Sequence, residues 1–113
     1  PLGIKVTIVQ PGPFRTGFFA RSMQRATTTL PDYAATSGKF QRFLEAIDGQ
    51  QAGDPARAAA AIIAAVDAER PPLRLVLGKY AVDKARRNRA VAGRELDAWA
   101  DLGSGTDFPA GTG

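Results

Sequence analysis

An alanine-rich helix held between two strand-like runs restricts this chain to very few architectures. Asp54 is a good N-cap and Pro55 a good first helical residue, so the helix start is well defined. The run from Ala56 to Glu69 is rich in alanine, the best helix former, and Pro71-Pro72 ends it. Ala59, Ile62, Ile63 and Val66 share one face, and the many alanines allow the helix to lie close on a sheet. Upstream, residues 4–9 are β-branched at five of six positions, with Ile4, Val6 and Ile8 on one face. Downstream, Leu73-Arg74-Leu75-Val76-Leu77-Gly78 reads as a short strand with its leucines on one face. Two strands joined through a helix in this way should be parallel, with a right-handed crossover. The short second strand and its Arg74 suit a sheet edge.

The first strand runs into Gln10-Pro11-Gly12-Pro13-Phe14-Arg15-Thr16. Pro11 has no amide proton, so regular pairing is expected to stop there. Gly12 permits unusual backbone angles or the close approach of a ligand, and Pro13 fixes φ again. A stiff loop just beyond the carboxyl end of a strand is where open α/β sheets place ligands.

The run from Gly3 to Thr16, together with the order of the downstream elements, resembles the sixth strand and nicotinamide-side loop of the short-chain dehydrogenases/reductases. The resemblance implies an α/β fold: the C-terminal part of a doubly wound Rossmann-type parallel sheet, with its last two strands, crossover helix, lid and final helix. It implies NAD or NADP as cofactor, with the backbone near Phe14 and the Thr16 hydroxyl holding the carboxamide and with Pro11 and Gly12 shaping the wall. Residues 1–113 then form a portion of one domain. Residues 1–16 are strand and loop, 17–53 a substrate lid, 54–109 helix, edge strand and last helix, and 110–113 a tail expected to be disordered. Phe18, Phe19 and Met23 are candidates for an apolar substrate wall, facing a small carbonyl or alcohol. The resemblance also implies a homo-oligomeric parent protein.

Within 17–53, residues 22–38 are polar and turn-rich, and a helix is expected from Ser37 to Asp48, stopped by Gly49. Its Phe40, Phe43, Leu44 and Ile47 form an apolar stripe, with Phe40 and Phe43 expected in the core. A last helix is expected over 80–101, followed by a loop in which Phe108 is a candidate packing anchor.

Composition narrows the chemistry. The chain has 113 residues and neither cysteine nor histidine. That removes disulfides, His-based triads and the commonest metal ligand, and no metal site is expected. A chain of this size can bury roughly two-thirds of its unfolded surface if its pieces close on themselves. No apolar run approaches the ~20 residues of a membrane span, and a cytoplasmic location fits. Tyr80-Ala81-Val82-Asp83-Lys84 has the family's catalytic Tyr-x-x-x-Lys spacing but the wrong place, after the last strand instead of before the Pro-Gly strand. The Gly-rich phosphate loop and the catalytic serine, tyrosine and lysine have no counterparts here, so the chain is expected to be an inactive fragment that begins inside a longer protein.

The net charge of +4 raises one rival. Lys84, Arg86, Arg87, Arg89 and Arg94 could make a small basic non-enzymatic module for an anionic partner such as nucleic acid. Aromatic residues are not interleaved with these cations, as a stacking platform would require. The expectation is therefore a solvated helix face and no nucleic-acid partner.

Overall fold

The computed structural model describes residues 2–111, and the end of the expected tail lies outside them. Strand β1 (Ile8–Pro11) pairs in parallel with β2 (Arg74–Leu77), with Ile8 opposite Arg74 and Pro11 opposite Leu77. The crossover between them carries helix α1 (Ser37–Ile47) and helix α2 (Pro55–Asp67), and helix α3 (Lys79–Ser104) comes after β2. This is the α/β arrangement expected, with its small parallel sheet.

The first strand begins later and ends later than its β-branched run suggests. Residues 4–7 run alongside Pro71-Pro72, and prolines offer no N–H for a ladder. The contacts there are made by side chains instead: the Thr7 hydroxyl donates to the Pro72 carbonyl at 2.7 Å and Lys5 Nζ to that of Glu69 at 3.1 Å. Regular pairing starts where Ile8 N–H donates to Leu73 O at 2.7 Å. At the other end, pairing does not stop at Pro11, because Gly12 N–H donates to Leu77 O at 2.8 Å. Successive residues of a strand point their N–H groups to opposite edges. The even-numbered residues serve β2, so the missing proton of Pro11 falls on the far edge and costs this ladder nothing.

Helix α2 has the predicted cap: Asp54 Oδ1 accepts from Ala56 N–H at 2.9 Å. Replacing Asp54 with Ala should cost about 1 kcal/mol, read as a lower denaturation midpoint. The covered side of α2 is the line Ala58, Ala61, Ala65 and Ala68, with Ala65 buried. Ile63 and Val66 stay exposed, while Ile62 reaches the groove over Val9. The bulky face predicted from periodicity is therefore not the one the sheet covers. Methyl side chains let the helix axis approach β2 closely, and branched ones would hold it off.

Helix α1 forms as expected, and Gly49 ends it at φ +74°. Phe40 and Phe43 are not core residues, however. Both are exposed and lie against each other with ring centroids 6.4 Å apart, while Leu44 and Ile47 are half-buried. Helix α3 runs past its expected end to Ser104, where Gly105 N–H caps it on the Asp101 carbonyl. Phe108, read as an anchor, is 89% exposed.

The chain does not close on itself. Its accessible surface is 9861 Å², against about 6,000 Å² for a compact monomer of this mass. Its radius of gyration is 20.9 Å, against about 13 Å. The buried residues among those described are Ala65, Leu77 and Gln51, so two-thirds burial is not reached. Every residue of β1 is exposed, although parallel sheets are ordinarily covered on both faces. Among the described residues nothing covers the apolar face of β1. Among the described residues, no helix is long and apolar enough to cross a membrane.

Candidate functional site at the carboxyl end of β1

Beyond Pro11 the chain is held by a second, isolated parallel bridge between Phe14 and Gly53. Gly53 N–H donates to Pro13 O at 3.1 Å, and Arg15 N–H donates to Gly53 O at 2.9 Å. Arg15 Nε adds a bond to Gln51 O at 3.1 Å. These bonds fasten the loop to the residues that lead into α2. Neither bridging bond uses the Phe14 N–H, which turns away from Gly53 and has no hydrogen-bond partner among the described residues. Thr16 comes next on the loop, its N–H donating to Phe14 O at 3.0 Å and its Oγ1 accepting from Phe18 N–H at 3.3 Å. The hydroxyl keeps its proton and a second lone pair for another partner.

These groups border an open concavity of about 540 Å³ between the strand ends and the start of α2. Pro11, Gly12, Phe14 and Thr16 all line it, together with Phe18 and Phe19. Phe18 and Phe19 sit on a short π-helical turn (Phe18–Ser22), with their rings tilted against each other at 5.7 Å. Met23 is separate: it lies with Arg25, Glu45 and Asp48 in another depression, which Phe19 borders from the other side. Six of the seven sequence-selected residues thus meet, and one does not. Sequence reading missed the far wall, made by Pro55, Ala58, Ala59, Ile62 and Leu77. Helix periodicity shows that those residues have a face, but not that the Gly53 bridge swings that face over the Pro-Gly loop.

Close packing behind the loop favours glycine at position 12. A Cβ on Gly12 would stand 3.2 Å from that of Ala81 on α3, so the loop and the start of this helix lie close together. Tyr80 and Lys84 lie outside the concavity, and the lysine nitrogen stands 6.0 Å from the tyrosine ring centroid. Beside them, the hydrogen bond from the Lys79 ammonium holds the Asp83 carboxyl below its ordinary range, helped by the nearby Arg86 and Arg87. The basic residues of α3 are exposed, as expected of a solvated face. Gln51 is the one buried polar residue among those described, and its side-chain amide has no hydrogen-bond partner there.

Comparison with known proteins gives this geometry a family. Oxidoreductase BOA17 of Botryotinia fuckeliana is 34% identical over 100 residues, which is 88% of this chain and 36% of that protein. An uncharacterized oxidoreductase of Schizosaccharomyces pombe is 33% identical over 95 residues, 84% of this chain and 32% of its own length. The crystal structure of a short-chain dehydrogenase from Streptomyces avermitilis matches 94% of this chain and 38% of its own, with a TM-score of 0.78 and 42% identity. The chain belongs to the short-chain dehydrogenase/reductase family. No protein-family model matches it. It spans about a third of the length of the curated relatives it matches. Its two parallel strands and their helices correspond to the C-terminal part of a short-chain dehydrogenase fold.

Proposed function

We propose that this segment forms the nicotinamide side of an NAD- or NADP-dependent oxidoreductase that interconverts a carbonyl and an alcohol in the cytoplasm. One observation carries the reading: Pro11, Gly12, Phe14 and Thr16 border one concavity, and among the described residues the Phe14 N–H and the Thr16 hydroxyl proton have no hydrogen-bond partner. That donor set suits a carboxamide, whose carbonyl accepts and whose amino group donates. The Phe14 N–H would serve the carbonyl, and the Thr16 Oγ1 would accept from the amino group. A nicotinamide ring held there would supply hydride exchange with a substrate carbon.

The chain's own residues bind, orient and exclude water. Pro11 and Pro13 stiffen the loop, so less conformational entropy is lost when the ligand is held. Phe18 and Phe19 make the adjoining wall apolar, which suits a small carbonyl or alcohol beside the ring. The proton exchanged in the reaction would be handled by side chains outside this segment, since its Tyr80 and Lys84 are away from the concavity. The segment alone is therefore expected to turn nothing over.

The test is made in the longer protein that carries this segment. Thr16→Ala should weaken NADH or NADPH binding by about 1 kcal/mol, roughly fivefold, as a lost hydrogen bond does, while Thr16→Ser retains most of it. Equal affinity of Thr16→Ala and wild type for both cofactors would sink the assignment.

A further inference from the structure

We propose that Arg25 and Glu45 are positioning residues, whose ion pair holds the Phe18–Ser22 turn in place and so sets the aromatic wall of the concavity. What that wall faces rests on the oxidoreductase reading, whereas the tie itself does not. Arg25 Nη1 meets Glu45 Oε1 of α1 at 2.6 Å. The near end of the turn is fastened by the Phe18 N–H, which donates to Thr16 Oγ1 at 3.3 Å. The turn's own bonds, from Arg21 N–H to Gly17 O and from Met23 N–H to Phe18 O, are local. From Gln24 to Thr29, the bond to Glu45 is the one that reaches another element among the described residues. Glu45 is a firm point for it. Leu44 and Ile47 of α1 are half-buried, and the chain leads from α1 through buried Gln51 to the Phe14–Gly53 bridge. The excursion from Phe14 to Gly53 is thus tied at its base by the bridge and partway along by the ion pair.

Phe19 connects this tie to the site. It borders the concavity of about 540 Å³ on one side and, on the other, a depression of about 410 Å³. Arg25 and Glu45 line that depression with Met23 and Asp48. The ring is therefore a partition with open space behind it, and the ion pair stands on the wall of that space. Releasing Arg25 frees the far end of the turn. The Phe19 ring can then retreat from Phe18 into the depression, which enlarges the substrate side of the concavity. Charge reversal at Arg25 goes further, because it sets a carboxylate against Glu45 with Asp48 in the same depression. The two side chains are 35% and 50% exposed, so the pair is worth a modest factor and not an all-or-none effect.

The test uses the longer protein that carries this segment, with Arg25→Glu, Glu45→Arg and the double reversal, and with benzaldehyde and 2-naphthaldehyde as probes. Each single reversal should raise the KM for benzaldehyde about two- to fivefold. It should shift the ratio of kcat/KM toward the larger aldehyde, while kcat and the dissociation constant for NADH or NADPH hold. A general loss of structure would move all three constants together. Hydrogen exchange of the Arg21 and Met23 amides, whose bonds close the turn, should quicken in each single reversal. The double reversal should restore both exchange and KM. Unchanged exchange in the single reversals overturns the proposal, as does a defect that the double reversal leaves in place. Faster exchange with an unaltered preference between the aldehydes overturns the role of Phe19. If wild type reduces neither aldehyde, the oxidoreductase reading is what fails, and hydrogen exchange alone decides the tie.

Discussion

Gly53→Ala should be among the most damaging single-methyl additions in this chain, costing about 2–3 kcal/mol, the scale of forced overpacking. A Cβ at Gly53 would stand 2.6 Å from both the Pro13 carbonyl oxygen and the Phe14 ring. The oxygen is backbone and is itself the acceptor of the Gly53 N–H, so that contact cannot relax without opening the bridge that fastens the loop. The loss should appear in two readouts: a lower denaturation midpoint and weaker cofactor binding in the longer protein. Gly93→Ala is the control, because its added methyl meets nothing within 4 Å. In mid-helix it should be neutral or stabilising by up to about 1 kcal/mol. If the two variants were equally stable, the Phe14–Gly53 bridge would not be what holds the loop.

Gly78→Ala should cost about 1–3 kcal/mol for a different reason, backbone strain instead of crowding. Gly78 joins β2 to α3 at φ +95° and ψ 142°, a region that side chains rarely enter. The nearest atoms to an added Cβ are those of the Phe14 ring at 3.8 and 3.9 Å, which is ordinary contact. Chemical denaturation of wild type and variant measures the difference. A change below roughly 0.5 kcal/mol would mean that the junction has another conformation open to it. Because Gly78 O accepts the Val82 N–H, the same variant should also fray the start of α3.

Much of the site was legible because its parts are local. The β-branched run, the Pro-Gly-Pro turn and Thr16 stand together in sequence, and a stiff loop leaves them together in space. The same holds for the Asp54 cap and the start of α2. Errors gathered where a residue's fate depends on something distant. The start of β1 is set by what lies opposite, and prolines at 71 and 72 cannot donate to it. Phe40 and Phe43 have the spacing of a core stripe, yet exposure depends on what the helix meets. Met23 is four residues beyond Phe19, and the turn between them carries it into a different depression.

By itself, then, the sequence determined the kinds of main element, their order, the parallel pairing and the stiff Pro-Gly-Pro loop beyond β1. Each arises from propensity, capping and proline geometry within a few residues. Only the tertiary structure decided which face of α2 the sheet covers, and that Pro55, Ala58, Ala59, Ile62 and Leu77 wall the concavity. It also decided that α3 carries its apolar side out into solvent. The physical reason is common to all three. Helix periodicity fixes which side chains share a face, whereas coverage depends on how closely another backbone can approach, as the small residues Gly12, Gly53 and Ala65 permit here.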